Sequence, residues 1–379
     1  MSLSHEVPMT FPHVPEVFLP VLIAIVSAWV LWSFTRNKRS VVWLIVVLAL
    51  DLVLWGQSSG WYVLSNKSTD DVWHTPEVIS VLRKAAPKQP FVYRILTVPH
   101  TFNPDTPPIP PSVSHSTDWT LWTQPDIYML FGVQNAAGYD GFGVERYSKL
   151  AGDMKLWGEL SDPDRTLRSE SREIDVLNVR YLISIRKVDD KDLTPKAKSD
   201  RWTLLTRTTY ADIYENGRAL PRAWQATAAL VMNEDAILKV IRSGRLPDGS
   251  LWDPAKTALV ERQTNLPANS LVSDARTQIL RYEPNRVSLS TEAKEESILV
   301  LSDTAYPGWR VYVDGEPAEL LRVNYDLRGV VVPIGEHGVT FIYQPWSVMI
   351  GFLVSLFTGL GLVIVLLKAR IAGLYARIP

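Results

Sequence analysis

The chain has 379 residues, 46% of them hydrophobic and 21% charged, with a formal net charge of −1. That balance argues against a nucleic-acid partner, and the absence of cysteine excludes disulfides and thiol chemistry. A mean hydropathy of +0.02 averages greasy ends with an ordinary polar middle, which points to a membrane-anchored α+β protein.

Met1 to Glu16 contains no Lys or Arg and is marked by Pro8, Pro12 and Pro15. Lacking the basic start and small-residue cleavage site of a signal peptide, it is expected to be a short outer stub (1–16) before a permanent helix. Val17 to Phe34 is uncharged, with Trp29 and Trp32 near one end, and Ser40 to Trp55 is interrupted only by Asp51. These predict a two-helix transmembrane hairpin over 17–62, turned by Thr35-Arg36-Asn37-Lys38-Arg39. A carboxylate inside a span is costly unless solvated or paired. Asp51 lies near the outer end of its helix, so either water reaches it or it meets another membrane helix, including one from a separate multi-span subunit.

An α+β region follows over 63–218. Glu77 to Ala86 predicts an amphipathic helix behind Thr75-Pro76, and Phe91 to Val98 a strand. Val98 to Ser116 is a proline-rich loop. Gln124 to Phe131 predicts a helix start, and Ile174 to Arg186 a half-helix running into a buried strand. A small αβ unit is expected over 219–273, with a strand Ala223 to Val231, a helix Glu234 to Ser243 and a returning strand Ala258 to Glu261.

From Ala275 the hydrophobic period becomes two. Strands are predicted at Gln278–Tyr282, Arg286–Thr291, Ser297–Asp303, Trp309–Val313, Gly329–Pro333 and Val339–Tyr343, with a hairpin turn at Asp314-Gly315. That pattern suits a β-sandwich over 274–345. Trp346 to Leu367 then carries no charge and covers roughly 30 Å of hydrocarbon as a helix. This third span (346–368) is followed by a basic tail (369–379) with Arg370 and Arg377. The positive turn and tail place both on the cytoplasmic side and the large middle segment outside.

Catalytic motifs are scarce. The six histidines fall at no metal-ligand spacing, so neither a metal nor a cofactor is expected. Asp162-Pro163-Asp164 spells the D-x-D of some glycosyltransferases, but in its run a solvated turn or helix cap fits better. Asp70-Asp71, soon after a span, would suit a base and metal ligand for a lipid-linked donor, or again a cap. Gly138 to Gly143 makes a glycine-shaped backbone beside polar and aromatic groups. Tyr139, Asp140 and Arg146 are therefore the candidate ligand-binding residues, for a sugar or polymer. Most of the tryptophans in the middle segment are expected in the core, with a sugar platform as the minority reading.

Ser302 to Glu316 (SDTAYPGWRVYVDGE) resembles the C-terminal signature of YfhO-type bacterial membrane proteins. Matching pieces occur in the family's order: Asp51-Leu52, Gly138-Tyr139-Asp140 with Glu145-Arg146-Tyr147, Leu177 to Ile183, Pro221-Arg222-Ala223, Asn324 to Pro333, and Gly335-Glu336-His337. The resemblance implies kinship with GT-C glycosyltransferases, which take sugars from polyprenyl-phosphate donors and modify cell-envelope polymers outside the membrane. Such enzymes have many spans and carry their acidic catalytic motif in the first outer loop of the N-terminal half. This chain, with three expected spans, corresponds to the family's C-terminal end, so no catalytic residue is carried over. The resemblance implies a multi-pass protein of the bacterial cytoplasmic membrane, with an accessory or acceptor-binding extracytoplasmic module. The alternative is half of a split or truncated transferase completed by a multi-span partner.

Overall fold

The amphipathic stretch predicted at Glu77 is a helix, α1 (Glu77–Ala85), burying Val78, Ile79 and Leu82 along one face. It belongs to the larger of two units, Thr75–Ser114 with Trp119–Pro379; the other is Met1–His74 with His115–Asp118. The computed structural model describes residues 25, 29, 46, 49, 75, 77–85, 93–98, 125–138, 143–155, 158, 160–185, 201–208, 211–268 and 275–375. In the N-terminal unit these are Ile25, Trp29, Val46 and Ala49, all helical and exposed. The rest of the expected hairpin, including Asp51, lies outside the described residues, as does the proline loop.

The α1 face packs on a five-stranded sheet built from β1 (Arg94–Val98), β2 (Gln134–Asn135), β3 (Val179–Ile185), β4 (Trp202–Arg207) and β5 (Ala211–Asn216). Its order is β2-β1-β3-β5-β4, with β1 parallel to β2 and β3 and the β5–β4 edge antiparallel. Strand alternation decides which residue goes where. Ile95, Tyr181, Ile183 and Ile213 meet α1 and the 3-10 turn Pro125–Phe131. Leu96, Leu182 and Tyr214 face the other way, into the main core. Short helices α2 (Glu145–Leu150), α3 (Pro163–Thr166) and α4 (Glu173–Val176) line that core. Asp162 caps α3, accepting the Arg165 amide at 2.9 Å, so the D-x-D sequence is a helix start.

The middle layer contains β6 (Ala223–Ala226), β7 (Ala228–Val231), β8 (Thr257–Val260), β11 (Ser297–Thr304), β14 (Leu321–Val323) and β15 (Leu327–Val332). Its order is β6-β11-β15-β14-β8-β7. The single strand predicted over Ala223–Val231 is two, broken at Thr227. The first half pairs antiparallel with β11 and the second parallel with β8. Both edges of the sheet are thus one stretch of chain, and the sheet curls back on it. Helix α5 (Glu234–Ser243), capped by the Asn233 side chain, buries Ile237, Val240 and Ile241 in the main core.

The third sheet is antiparallel, ordered β13-β12-β16-β10-β9. Its strands are β9 (Arg276–Glu283), β10 (Arg286–Ala293), β12 (Trp309–Val313), β13 (Glu316–Ala318) and β16 (Gly335–Tyr343). Val287, Leu289, Val311, Val339 and Phe341 on it share a buried cluster with Leu299, Leu301, Val330 and Val332 of the middle sheet. Strand β16 leads through Gln344-Pro345 into α6 (Trp346–Tyr375). Among the described residues this is the one helix long and apolar enough to cross a membrane, over Trp346–Ile364, and none of that stretch is buried.

Candidate functional site

At the end of β11, Asp303 is buried and meets three guanidiniums. Arg94 from β1 lies at 2.9 Å, Arg222 just before β6 at 2.7 Å, and Arg328 from β15 at 3.0 Å. The Tyr282 hydroxyl on β9 donates at 3.1 Å. Strands of all three sheets therefore converge on one carboxylate. Arg94 also donates to the Leu177 and Ser302 carbonyls, at 3.0 and 2.6 Å, and Arg222 donates to Gln134 at 2.7 Å.

Burial opposes the charge on Asp303, but the guanidiniums outweigh it and hold its pKa below the usual carboxylate range. Burial and the neighbouring Arg222 lower the pKa of Arg94. For Arg222 burial is outweighed by Asp303 and Tyr282, and its pKa rises. The excess positive charge rests partly on aromatic faces: Arg328 sits 3.7 Å over the Trp309 ring and Arg222 5.0 Å over Tyr282. A carboxylate so fully engaged has no capacity left to act as a base, so Asp303 holds the fold together.

Immediately after it the chain makes a tight turn, Tyr306-Pro307-Gly308. Gly308 has φ +103°, and a β-carbon there would lie 2.9 Å from the Tyr343 ring and 3.0 Å from Pro345. The Gln344 amide donates to the Gly308 carbonyl at 2.7 Å, and the Trp309 and Tyr343 rings are 5.3 Å apart. The turn is thereby fastened to the three residues that precede α6. A cleft of about 270 Å³ opens beside it, lined among others by Tyr306, Trp309, Leu320, Glu261, Arg262 and Arg322. Tyr306 on its lining is 48% exposed.

Behind the cleft, Asp326 accepts the Ala305 amide on its carbonyl at 2.6 Å. Burial pushes its carboxyl up to about 6, against a hydrogen bond from Thr304. Asn324 and Tyr325 both adopt positive φ, 48° and 79°, to make the turn before β15. Of the residues predicted to bind a ligand, Arg146 is described and Tyr139 and Asp140 are not. The Arg146 guanidinium is held by Glu234 at the start of α5 and by Glu261 on the cleft wall. It also donates to the Tyr325 carbonyl at 2.8 Å and lies 5.1 Å over that ring. It thus reaches the cleft through Glu261.

Three of the pieces quoted from separate parts of the sequence meet the Ser302 to Glu316 block here. Asn178 donates to the Leu220 carbonyl at 2.7 Å, two residues before Arg222; Ser302 and Asp303 receive Arg94 and Arg222; and Arg328, from the Asn324 to Pro333 piece, completes the cluster. Residues 262–355 match the family model described as bacterial membrane protein YfhO. The match runs from the cleft through the third sheet and into α6, roughly a quarter of the chain. No curated protein and no solved structure matches. Within the YfhO segment the SDTAYPGW block divides its work: Ser302-Asp303 ties the sheets, and Tyr306 to Trp309 shapes the cleft at the helix base.

Proposed function

We propose that the chain is the membrane-anchored, extracytoplasmic part of a YfhO-like protein, acting as an accessory or acceptor-binding module in cell-envelope glycosylation. In this reading it is non-catalytic by itself. The observation that carries it is the cleft's position, fastened to the residues that enter α6, where a membrane-linked glycan is within reach. An exposed tyrosine, a tryptophan and mixed-sign polar groups suit a sugar ring and its hydroxyls. Tyr139, Asp140 and Arg146 are kept as candidate ligand-binding residues on sequence grounds, with Arg146 supporting the cleft's Glu261 wall. The middle and third sheets are read as a β-sandwich, and the N-terminal segment as the two further spans that make the protein multi-pass in the bacterial cytoplasmic membrane. Asp51 is assigned to contact with a multi-span partner subunit.

The test is calorimetric titration of the detergent-solubilised full chain with soluble cell-envelope polysaccharide fragments. Binding is expected, and Tyr306→Ala should weaken it about tenfold, the loss of one stacking face of about 1.4 kcal/mol. Absence of binding by the unaltered chain, or equal affinity in the variant, would remove the glycan from this cleft.

A further inference from the structure

The exposed face of the third sheet is polarised along its strands. Arg286 on β10 and Arg310 on β12 both pair in register with Ile342 on β16, so the three side chains form one row on the outer face. The opposite faces of these strands carry Val287, Phe341 and Val311 into the core. At the far end of the same face, Glu292 pairs in register with Glu336, beside Arg276. Both Arg286 and Arg310 are exposed. Among the described residues the neighbouring charges at this end pair off: Glu283, which faces Arg286 in register, with Arg281 at 2.6 Å, and Glu319, next to the Ala318 that faces Val311, with Arg262 at 2.9 Å. The row is therefore a net cationic site.

Its height above the membrane is fixed by covalent geometry. Ile342 precedes Trp346 by four residues, so the arginine row stands at most about 13 Å from the start of α6. Arg310 already lies 5.5 Å over the Trp346 ring, and Trp346 is 64% exposed at the helix entry, where an indole favours the headgroup layer. The Tyr343 amide donates to the Asn285 carbonyl at 2.9 Å, which holds the β9–β10 turn at this end too. We infer that the membrane end of this sheet face binds the anionic phospholipid headgroups around α6. Arg286 and Arg310 are its two phosphate contacts, and Trp346 sets their depth. The acidic row at the far end keeps the opposite end of the sheet off the bilayer. This inference requires only that α6 enters a bilayer at Trp346; it holds whether or not the cleft binds a glycan.

The experiment is lipid retention by the full chain, reconstituted in phosphatidylcholine nanodiscs containing a minority of phosphatidylglycerol, released and weighed by native mass spectrometry. The unaltered chain is expected to carry phosphatidylglycerol well above its share of the bilayer. Each arginine contributes about fivefold, so Arg286→Gln with Arg310→Gln should cut the selectivity about twenty-five-fold. Glu292→Gln with Glu336→Gln should leave it in place. Lys368→Gln measures the contribution of the other end of α6. No preference in the unaltered chain, or a preference abolished by Lys368→Gln and untouched by the double arginine variant, would overturn the proposal.

Discussion

Asp303 balances charge for residues brought from 209, 81 and 25 positions away: Arg94, Arg222 and Arg328. Removing it leaves three buried guanidiniums without their shared anion, and breaking even one buried pair costs about 3–5 kcal/mol. Asp303→Ala should therefore lower the unfolding free energy by at least that much, measured by urea titration in detergent. A loss under about 1 kcal/mol would mean that water or the aromatic faces carry the charge instead. Asp326 behaves in the opposite sense. Its pKa of about 6 in the folded chain lies above the ordinary 3.8, so the folded state binds a proton that the unfolded chain releases earlier. That favours folding at low pH, and the advantage disappears as pH rises through about 6. Asp326→Asn should flatten this slope and add up to about 3 kcal/mol of stability near pH 8. Melting curves from pH 4 to 8 check it: parallel profiles for variant and parent would contradict the assignment.

At the scale of elements, the Tyr306–Gly308 turn is the fastening between the third sheet and the apolar helix α6. Gly308→Ala places a carbon against Tyr343 and Pro345 in a backbone conformation that L-residues rarely adopt, at a cost of about 1–3 kcal/mol. Faster hydrogen exchange at the Gln344 amide, which bonds the Gly308 carbonyl, is the expected local sign; unchanged exchange would show that the turn does not hold the helix base. Elements with strong period were legible in the sequence: α1, α5, β10, β11 and β12 fall close to their predicted ranges, while β16 contains its predicted Val339–Tyr343 but begins four residues earlier, at Gly335. Others were not, for identifiable reasons. Strand β4 has the burial pattern Beeeie and a bulge between Leu204 and Thr206, which erases alternation at a sheet edge. Strands β2, β13 and β14 are two or three residues long, too short to show a period. The break at Thr227 leaves no mark in composition, because the residues on both sides of it, AWQA and AALV, are mostly apolar.

For the whole molecule, the layer order rests on contacts that no local pattern encodes. The αβ unit and the predicted sandwich looked separate in sequence, yet β6, β7 and β8 share a sheet with β11, β14 and β15. The arginine cluster was equally hidden, since Arg94 sits in a strand whose sequence, RILTV, gives no hint of a partner on β11. Arg146 was singled out for a ligand from its neighbourhood; the fold shows its guanidinium engaged by two carboxylates and the Tyr325 carbonyl. Quoted motifs did mark the region, through residues that turn the chain or balance its charge.

The junction at Gln344-Pro345 has a mechanical consequence. Strand β16 is nine residues long, about 30 Å, and it joins α6 with no slack chain between. Membrane helices commonly tilt by about 20°. If the fastening at Gly308 holds, such a tilt swings the far end of the strand through about 10 Å. With α6 in a bilayer as proposed, bilayer thickness would then act on the sheets as a hand acts on a lever, with the cleft near the fulcrum and nearly still.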